Sequence, residues 1–306
     1  MSASFISALG AAFEAAGSQH YPQSTLYVVA TPIGNLADIS LRALHVLQLA
    51  DTVACEDTRH TQALLHAYGI EKNSAQTLAV HQHNEQEAAH AVVERLRLGQ
   101  RVVYVSDAGT PGVSDPGARL VAQVRSQGLR VVPLPGASSV TTVLSAAGVL
   151  QDSERGSGFV FAGFLPTKAG ERATAVAALA GETQAVVVLE APHRIEALAQ
   201  ALAVLGERWV TVGRELTKQF EEIATLRADA LVQWLADDAN RLRGEFALVL
   251  HPAPATNEVA HDDRVLKLLL EQLPLKTAVK LAADISGEPR NALYERALAL
   301  KSSAPD

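Results

Sequence analysis

The sequence predicts an α/β protein of two α/β blocks, followed by a small helical tail of helix-turn-helix character. Three observations lead there. Strand-like and helix-like stretches alternate through the first half, the pattern of a largely parallel sheet covered on both faces. The alternation breaks at the polar, Gly- and Ser-bearing stretch 151–158 and then resumes. From Glu258 to Lys301 the apolar period is helical throughout. The expected organisation is an N-terminal α/β domain over 25–152, a second over 153–253, a helical tail over 258–306, and a preceding extension over 1–24.

In chain order, residues 3–16 have the composition of a short Ala-rich helix within an extension read as loosely ordered. Leu26–Ala30 is a short apolar run that ends in a Pro/Gly turn, and 39–50 is helical in period. Thr52–Cys55 and Thr77–Val80 read as strands, separated by a helix over 58–68 that stops at Gly69. A helix over 85–98 stops at Gly99, and strands follow over 101–105 and 130–134 with a helix between them. Pro135-Gly-Ala-Ser-Ser139 opens a further helix to Ala147. The second block has strands over 159–163, 185–189, 209–212 and 246–250, an additional strand over 221–226, and helices near 171–179, 194–205 and 228–236. In the tail, one helix should end near Gly287 and the next begin at Pro289.

Composition narrows the class. Nearly half of the 306 residues are hydrophobic, enough for a substantial core. The single cysteine, Cys55, excludes a disulfide framework and suits a reducing cytoplasm. No apolar run reaches the length of a membrane span. The first 24 residues hold no Lys or Arg, so they lack the positive start of a signal peptide. A net charge of −7 argues against a generic nucleic-acid binder but leaves room for a local basic cleft.

The densest punctuation is Ser106-Asp-Ala-Gly-Thr-Pro-Gly-Val-Ser-Asp-Pro-Gly117, directly after a strand. Its second half reads as a helix start, with Ser114 or Asp115 as cap and Pro116 at the first helical position. Its first half, Asp107 to Pro111, sits where open α/β sheets bind ligands. Thr31-Pro-Ile-Gly-Asn-Leu-Ala-Asp38 follows the first strand, where dinucleotide and nucleoside-triphosphate binders carry their phosphate loops. Neither pattern is present, so NAD and ATP are disfavoured. Pro32 to Asn35 is read as lining a site, and Asp38 as capping the next helix. Glu56-Asp-Thr-Arg-His60 sets carboxylates beside Arg59 at the end of the second strand, with Asp57 or Thr58 as the competing cap assignment. In the second block, turns at strand ends supply Lys168, His193, Arg194, Arg214 and Lys218, a basic rim suited to a phosphate-bearing substrate. Of the close histidine pair His81 and His83, neither has a Cys or carboxylate at ligand spacing, so no metal is expected. No Gly-x-Ser-x-Gly elbow supports a hydrolase.

Taken together, Thr31–Asp38, Cys55-Glu-Asp-Thr-Arg59, His83-Asn-Glu85, the 106–117 loop, Pro135-Gly-Ala-Ser138, Glu190-Ala-Pro-His-Arg194 and Arg214-Glu-Leu-Thr-Lys218 resemble the small-subunit ribosomal RNA methyltransferase I family of the tetrapyrrole methylase superfamily. The likeness runs from Leu26 to Leu250 and, more weakly, through the tail. It implies S-adenosylmethionine (SAM) in a cleft between two α/β domains, methylation of the ribose 2′-hydroxyl of cytidine 1402 in 16S rRNA, and a homodimer. By motif position it implies Pro32, Gly34, Asp107, Gly109, Thr110, Pro111 and Ser138 at the SAM site, with Glu190 and Ala247 facing them. Asp57 or Glu215 is expected as base or orienting group, with Arg59 and Lys168 as electrostatic helpers. Arg172, His193, Arg194 and Lys218 are expected to contact RNA. The stretch after Lys168 departs from the family by being weakly basic, leaving mainly Lys168 and Arg172. The rival readings are a methylase of a porphyrin-like small molecule and a non-catalytic ribosome-binding protein.

Overall fold

The computed structural model describes residues 5–81, 84–149, 158–253 and 263–302. The polar break at 151–157, His83, the start of the tail at 258–262 and its end at 303–306 lie outside the described residues. The first sheet contains β1 (Thr25–Val29), β2 (Thr52–Cys55), β3 (Thr77–Ala79), β4 (Arg101–Val105) and β5 (Arg130–Leu134). Its order is β3-β2-β4-β1-β5, and every pairing is parallel.

Alternate strand residues are buried on opposite faces. Tyr27, Val29, Val53, Val103 and Val105 meet α1 (Ile6–Ala16), α2 (Leu41–Leu49) and α3 (Thr58–Ala67). Leu26, Ala54, Val102 and Tyr104 meet α4 (Glu85–Arg97) and α5 (Gly117–Ser126). This two-sided burial explains why the strands are continuous apolar runs rather than alternating ones.

Local chemistry sets the helix ends. The Ser40 hydroxyl accepts the Ala43 N–H at 3.1 Å and starts α2, so the expected cap at Asp38 is displaced by two residues. Asp57 caps α3 by accepting the Arg59 N–H at 2.8 Å. α4 carries Glu85 and Glu87 in its first turn and Arg95 and Arg97 in its last, complementing the helix dipole.

The N-terminal stretch departs from the loosely ordered extension that was expected. From Ile6 it is helical, with Ala12 and Ala16 fully buried against α2. Small side chains allow this close packing, and Phe5 meets Tyr68 edge-on at 5.5 Å between ring centroids.

The second sheet contains β6 (Phe159–Phe164), β7 (Ala185–Glu190), β8 (Trp209–Arg214), β9 (Glu222–Arg227) and β10 (Phe246–Leu250). Its order is β6-β7-β10-β8-β9; only β6 and β7 run parallel, and β10 is antiparallel to both neighbours. One face packs on α7 (Ala169–Leu179), α8 (Ile195–Leu202) and α9 (Leu231–Ala236). The other face packs on α6 (Ser139–Ala147), the helix that leaves the first sheet after β5.

The tail is a separate unit of α10 (Arg264–Gln272), α11 (Leu275–Ser286) and α12 (Arg290–Ser302) around Leu266, Val279, Leu293 and Ala297. Gly287 ends α11 in the left-handed conformation, φ +75°, as the sequence predicts.

A polar network closes the far end of the second sheet. Arg208, 3% exposed, donates to the carbonyls of His251 and Leu179, each at 2.6 Å. The His251 ring shares a 2.8 Å hydrogen bond with Thr211. Burial, then the Arg208 charge, lowers the proton affinity of His251, and burial alone does the same to His45. The unfolded chain therefore takes up these protons first. Their contribution to stability is complete above the ordinary histidine value near ~6.5 and declines as pH falls below it. The urea midpoint should drop between pH 7.5 and 5.5, and His251→Gln should flatten that drop; an unchanged slope in the variant would refute the assignment.

Candidate functional site

β1 and β4 are neighbours, yet their connections diverge. The chain leaving β1 covers one face of the sheet through α2; the chain leaving β4 covers the other through α5. Their loops part above the strand ends and leave a crevice, the place where open α/β sheets bind ligands. A two-bond bridge ties the loops across it: Thr31 N–H donates to Gly109 O at 2.9 Å, and Gly109 N–H to Thr31 O at 3.0 Å. Gly109 has φ +81°, and a Cβ there would stand 3.1 Å from the Ile33 side chain. Both constraints call for glycine.

The 106–117 loop is held by its own polar groups. Asp115 accepts the Gly112 N–H at 2.7 Å, the Gly117 N–H at 2.8 Å and the Tyr104 hydroxyl at 2.9 Å. Asp115 thus prepares the start of α5, while Pro116 occupies the cap position rather than the first helical one. Thr110 donates its hydroxyl to Ala137 O at 2.9 Å, joining this loop to the segment that opens α6.

The crevice has two lobes that share Ile33, Ala108, Ser114, Ser139 and Leu189. The narrow lobe, about 180 Å³, carries its polar groups on Glu56, Ser106, Asp107, Thr110, Asp115 and Ser138. The wide lobe, about 340 Å³, is more apolar and is lined by Phe164, Leu189, Glu190, Leu216, Phe246 and Ala247. The antiparallel direction of β10 explains the last two: Phe246 pairs with Glu190 and Arg214, so the start of β10 lies beside the ends of β7 and β8.

Of the expected SAM-site residues, Asp107, Gly109, Thr110 and Ser138 line the narrow lobe, and Glu190 and Ala247 the wide one. Pro32 and Pro111 are buried and line neither lobe; their rigid rings shape the turns. Gly34 lines a different cavity of about 640 Å³, with Asn35, Thr217 and Lys218. A Cβ at Gly34 would overlap the Lys218 side chain, so this glycine permits the two loops to touch.

The expected catalytic residues lie outside both lobes. Asp57 accepts from the Arg59 backbone N–H and, at 3.1 and 2.7 Å, from its guanidinium. Arg59 holds the carboxyl well below the usual carboxylate range. Glu215 has φ +52°, an uncommon conformation for a non-glycine, and accepts from Lys218 at 2.7 Å and from the Glu245 N–H at 3.0 Å. Burial raises its proton affinity, but these bonds outweigh it and hold the carboxyl below its ordinary value. Lys168 is exposed and pairs with Glu171 at 2.9 Å.

Two of the expected RNA contacts face inward. Arg172 is 8% exposed and donates to Thr167 O at 2.9 Å. Arg194 pairs with Glu190 at 3.0 Å and donates to Leu165 O. A guanidinium in or beside a strand-end turn finds backbone carbonyls within reach, and bonding them satisfies both groups away from water. His193 is exposed; Lys218 is half-buried between Glu215 and Glu245.

Glu56, Ser106, Ser114, Phe164 and Leu189 line the crevice without having been expected at a ligand site. Glu56, the serines and Phe164 fell within the strand-end turns, whereas Leu189 carries only an apolar strand signal. Glu56 is half-buried, and burial, then the Asp107 and Asp115 charges, raises its proton affinity. Glu190 is 2% exposed; its Oε1 accepts the Ala191 N–H at 2.9 Å, while its buried Oε2 has no partner. Among the described residues, no group of three or more His, Cys, Asp or Glu could hold a metal.

The tetrapyrrole (corrin/porphyrin) methylase family model matches residues 25–232, and the RsmI C-terminal HTH domain model matches residues 256–301. Ribosomal RNA small subunit methyltransferase I of Escherichia coli O157:H7 is 46% identical over 90% of this chain and 95% of its own. The protein of the same name from Neisseria meningitidis serogroup A is 47% identical over 91% and 94%. Among solved structures, cobalt precorrin-4 methyltransferase aligns with a TM-score of 0.54 at 18% identity, covering 74% of this chain and 95% of its own. Uroporphyrin-III-C-methyltransferase of Thermus thermophilus aligns at 0.52 and 19%, covering 75% and 94%. These structural likenesses concern the fold. With the family model spanning most of the chain and relatives near half identity over nine-tenths of it, the chain belongs to the ribosomal RNA small subunit methyltransferase I family of tetrapyrrole methylases.

Proposed function

We propose that this protein transfers a methyl group from SAM to the ribose 2′-hydroxyl of cytidine 1402 in 16S rRNA. The observation that carries the reading is the convergence of the family's sequence phrases, from both sheets, on one two-lobed crevice. The residues fit the methyl donor. The narrow lobe offers Asp107 to a sulfonium or an ammonium group. The wide lobe offers apolar walls to an adenine, and the unpartnered Glu190 Oε2 accepts from a hydroxyl or amine. Its volume lies within the ~300–1,000 Å³ usual for small-ligand clefts.

SAM supplies an electrophilic methyl group on a positively charged sulfur. The protein's part is to bind both partners, align the hydroxyl oxygen with the methyl carbon, exclude water and receive a proton. Alignment alone is worth about 7–11 kcal/mol in favourable cases. Asp115 and the Thr31–Gly109 bridge keep the narrow lobe in one shape before the ligand arrives. Exposed Arg59, Lys168 and His193 are the candidates for RNA phosphates. A cytoplasmic site of action follows from a ribosomal substrate. A homodimer belongs to the same reading: β6 is an edge strand, with Phe159 46% exposed.

Titration calorimetry should show SAM binding, and small subunits lacking the modification should gain one methyl at the 2′-oxygen of cytidine 1402. Label in a porphyrin-like acceptor instead, or no SAM binding, would overturn the assignment. Glu190→Gln should weaken SAM binding by about 10–100-fold, the worth of a charge-assisted hydrogen bond; an unaltered calorimetric affinity in a folded variant would remove Glu190 from the site. Sedimentation equilibrium should give twice the chain mass, and a monomer at micromolar concentration would exclude the dimer.

A further inference from the structure

We propose that Glu56 is the group that takes the proton from the substrate hydroxyl, an inference that rests on reading the crevice as a hydroxyl-methylation site. Five carboxylates stand near the narrow lobe or were expected to serve, and four are committed elsewhere. Asp57 is clamped by Arg59 through three hydrogen bonds. Glu215 is bound by Lys218 and by the Glu245 N–H. Asp115 holds two backbone N–H groups and the Tyr104 hydroxyl. Asp107 accepts the Asp57 N–H at 3.1 Å and faces His60 at 3.7 Å. Glu56 lines the lobe, and among the described residues no side chain donates to its carboxylate; the Asp107 backbone N–H approaches it.

The surroundings of Glu56 favour the protonated form. Its carboxylate lies within electrostatic reach of the Asp107, Asp115 and Asp57 carboxylates and of the Tyr104 hydroxyl. Arg59, in the same turn, is paired with Asp57, and its side chain is 88% exposed. A carboxylate that is half-buried among like charges holds a proton more tightly than one in water. That makes it a stronger base than Asp57, whose charge Arg59 stabilises. The unpartnered Glu190 Oε2 in the adjoining lobe independently marks the crevice as a place for a ligand.

The step balances without a further reagent. The hydroxyl oxygen forms a bond to the methyl carbon as the carbon–sulfur bond breaks, and that electron pair stays on sulfur. The hydroxyl proton moves to a Glu56 carboxylate oxygen and then to solvent.

Wild type, Glu56→Gln and Glu56→Asp should be compared by calorimetry with SAM, by thermal unfolding, and by single-turnover methylation of undermethylated small subunits across pH 6 to 9. Carboxyl-¹³C NMR of glutamate-labelled protein without ligand, with the Glu56→Gln spectrum identifying the signal, should show Glu56 titrating above an ordinary glutamate. Glu56→Gln should lose about 10²–10⁴-fold in single-turnover rate while SAM affinity stays within about threefold. Glu56→Asp should recover part of the rate. A Glu56→Gln rate within about threefold of wild type overturns the proposal. So does a loss confined to SAM affinity, or an NMR titration at or below the ordinary glutamate value. Failure of the wild type itself to label rRNA defeats the underlying reading instead.

Discussion

The arrangement depends on where α6 packs. This helix follows β5 of the first sheet, yet Val140, Val143 and Ala147 are buried against Val187, Ala247 and Val249 of the second. One apolar seam therefore fixes the distance between two sheets that otherwise have their own cores. The start of the same helix, Ser138 and Ser139, forms part of the crevice wall. Loosening the seam would alter every distance across the crevice, because its two lobes draw walls from both sides.

Within that frame the crevice is shaped mainly by backbone bonds and committed carboxylates. The Thr31–Gly109 bridge and the triple acceptance by Asp115 use polar groups that an open loop would leave to water. Two adjacent residues in the turn after β2 then acquire opposite acid–base character. Asp57 points to a guanidinium and stays ionised; Glu56 faces other carboxylates and holds a proton more readily. The difference arises from neighbours brought by β4 and its loop, not from the side chains themselves.

The arginines show the same principle. Arg172, Arg194 and Arg208 use their donors on backbone carbonyls and tie down the segments those carbonyls belong to. The positive surface around the crevice is therefore smaller than the residue count suggests. In a chain of net charge −7, RNA recognition through this face would rest on a few exposed cations and on shape. The tail, with the fold of a helix-turn-helix domain, contributes mixed charges rather than a basic stripe.

Much of the fold was legible in the sequence. Two-sided burial leaves continuous apolar runs, so β1, β2 and β4 announce themselves, and Gly287 announces the turn between α11 and α12. The glycine- and proline-rich turns marked where a ligand site would form, because unusual backbone paths need those residues whatever surrounds them. The N-terminal helix was legible from its Ala-rich composition, but its burial was not, because that depends on α2. The antiparallel setting of β10, which brings Phe246 and Ala247 into the crevice, was likewise hidden, since a buried strand reads the same in either direction. Charge partners were the least legible of all. Which carboxylate meets an arginine and which meets another carboxylate is set by contacts between distant segments, and only the tertiary structure decides it.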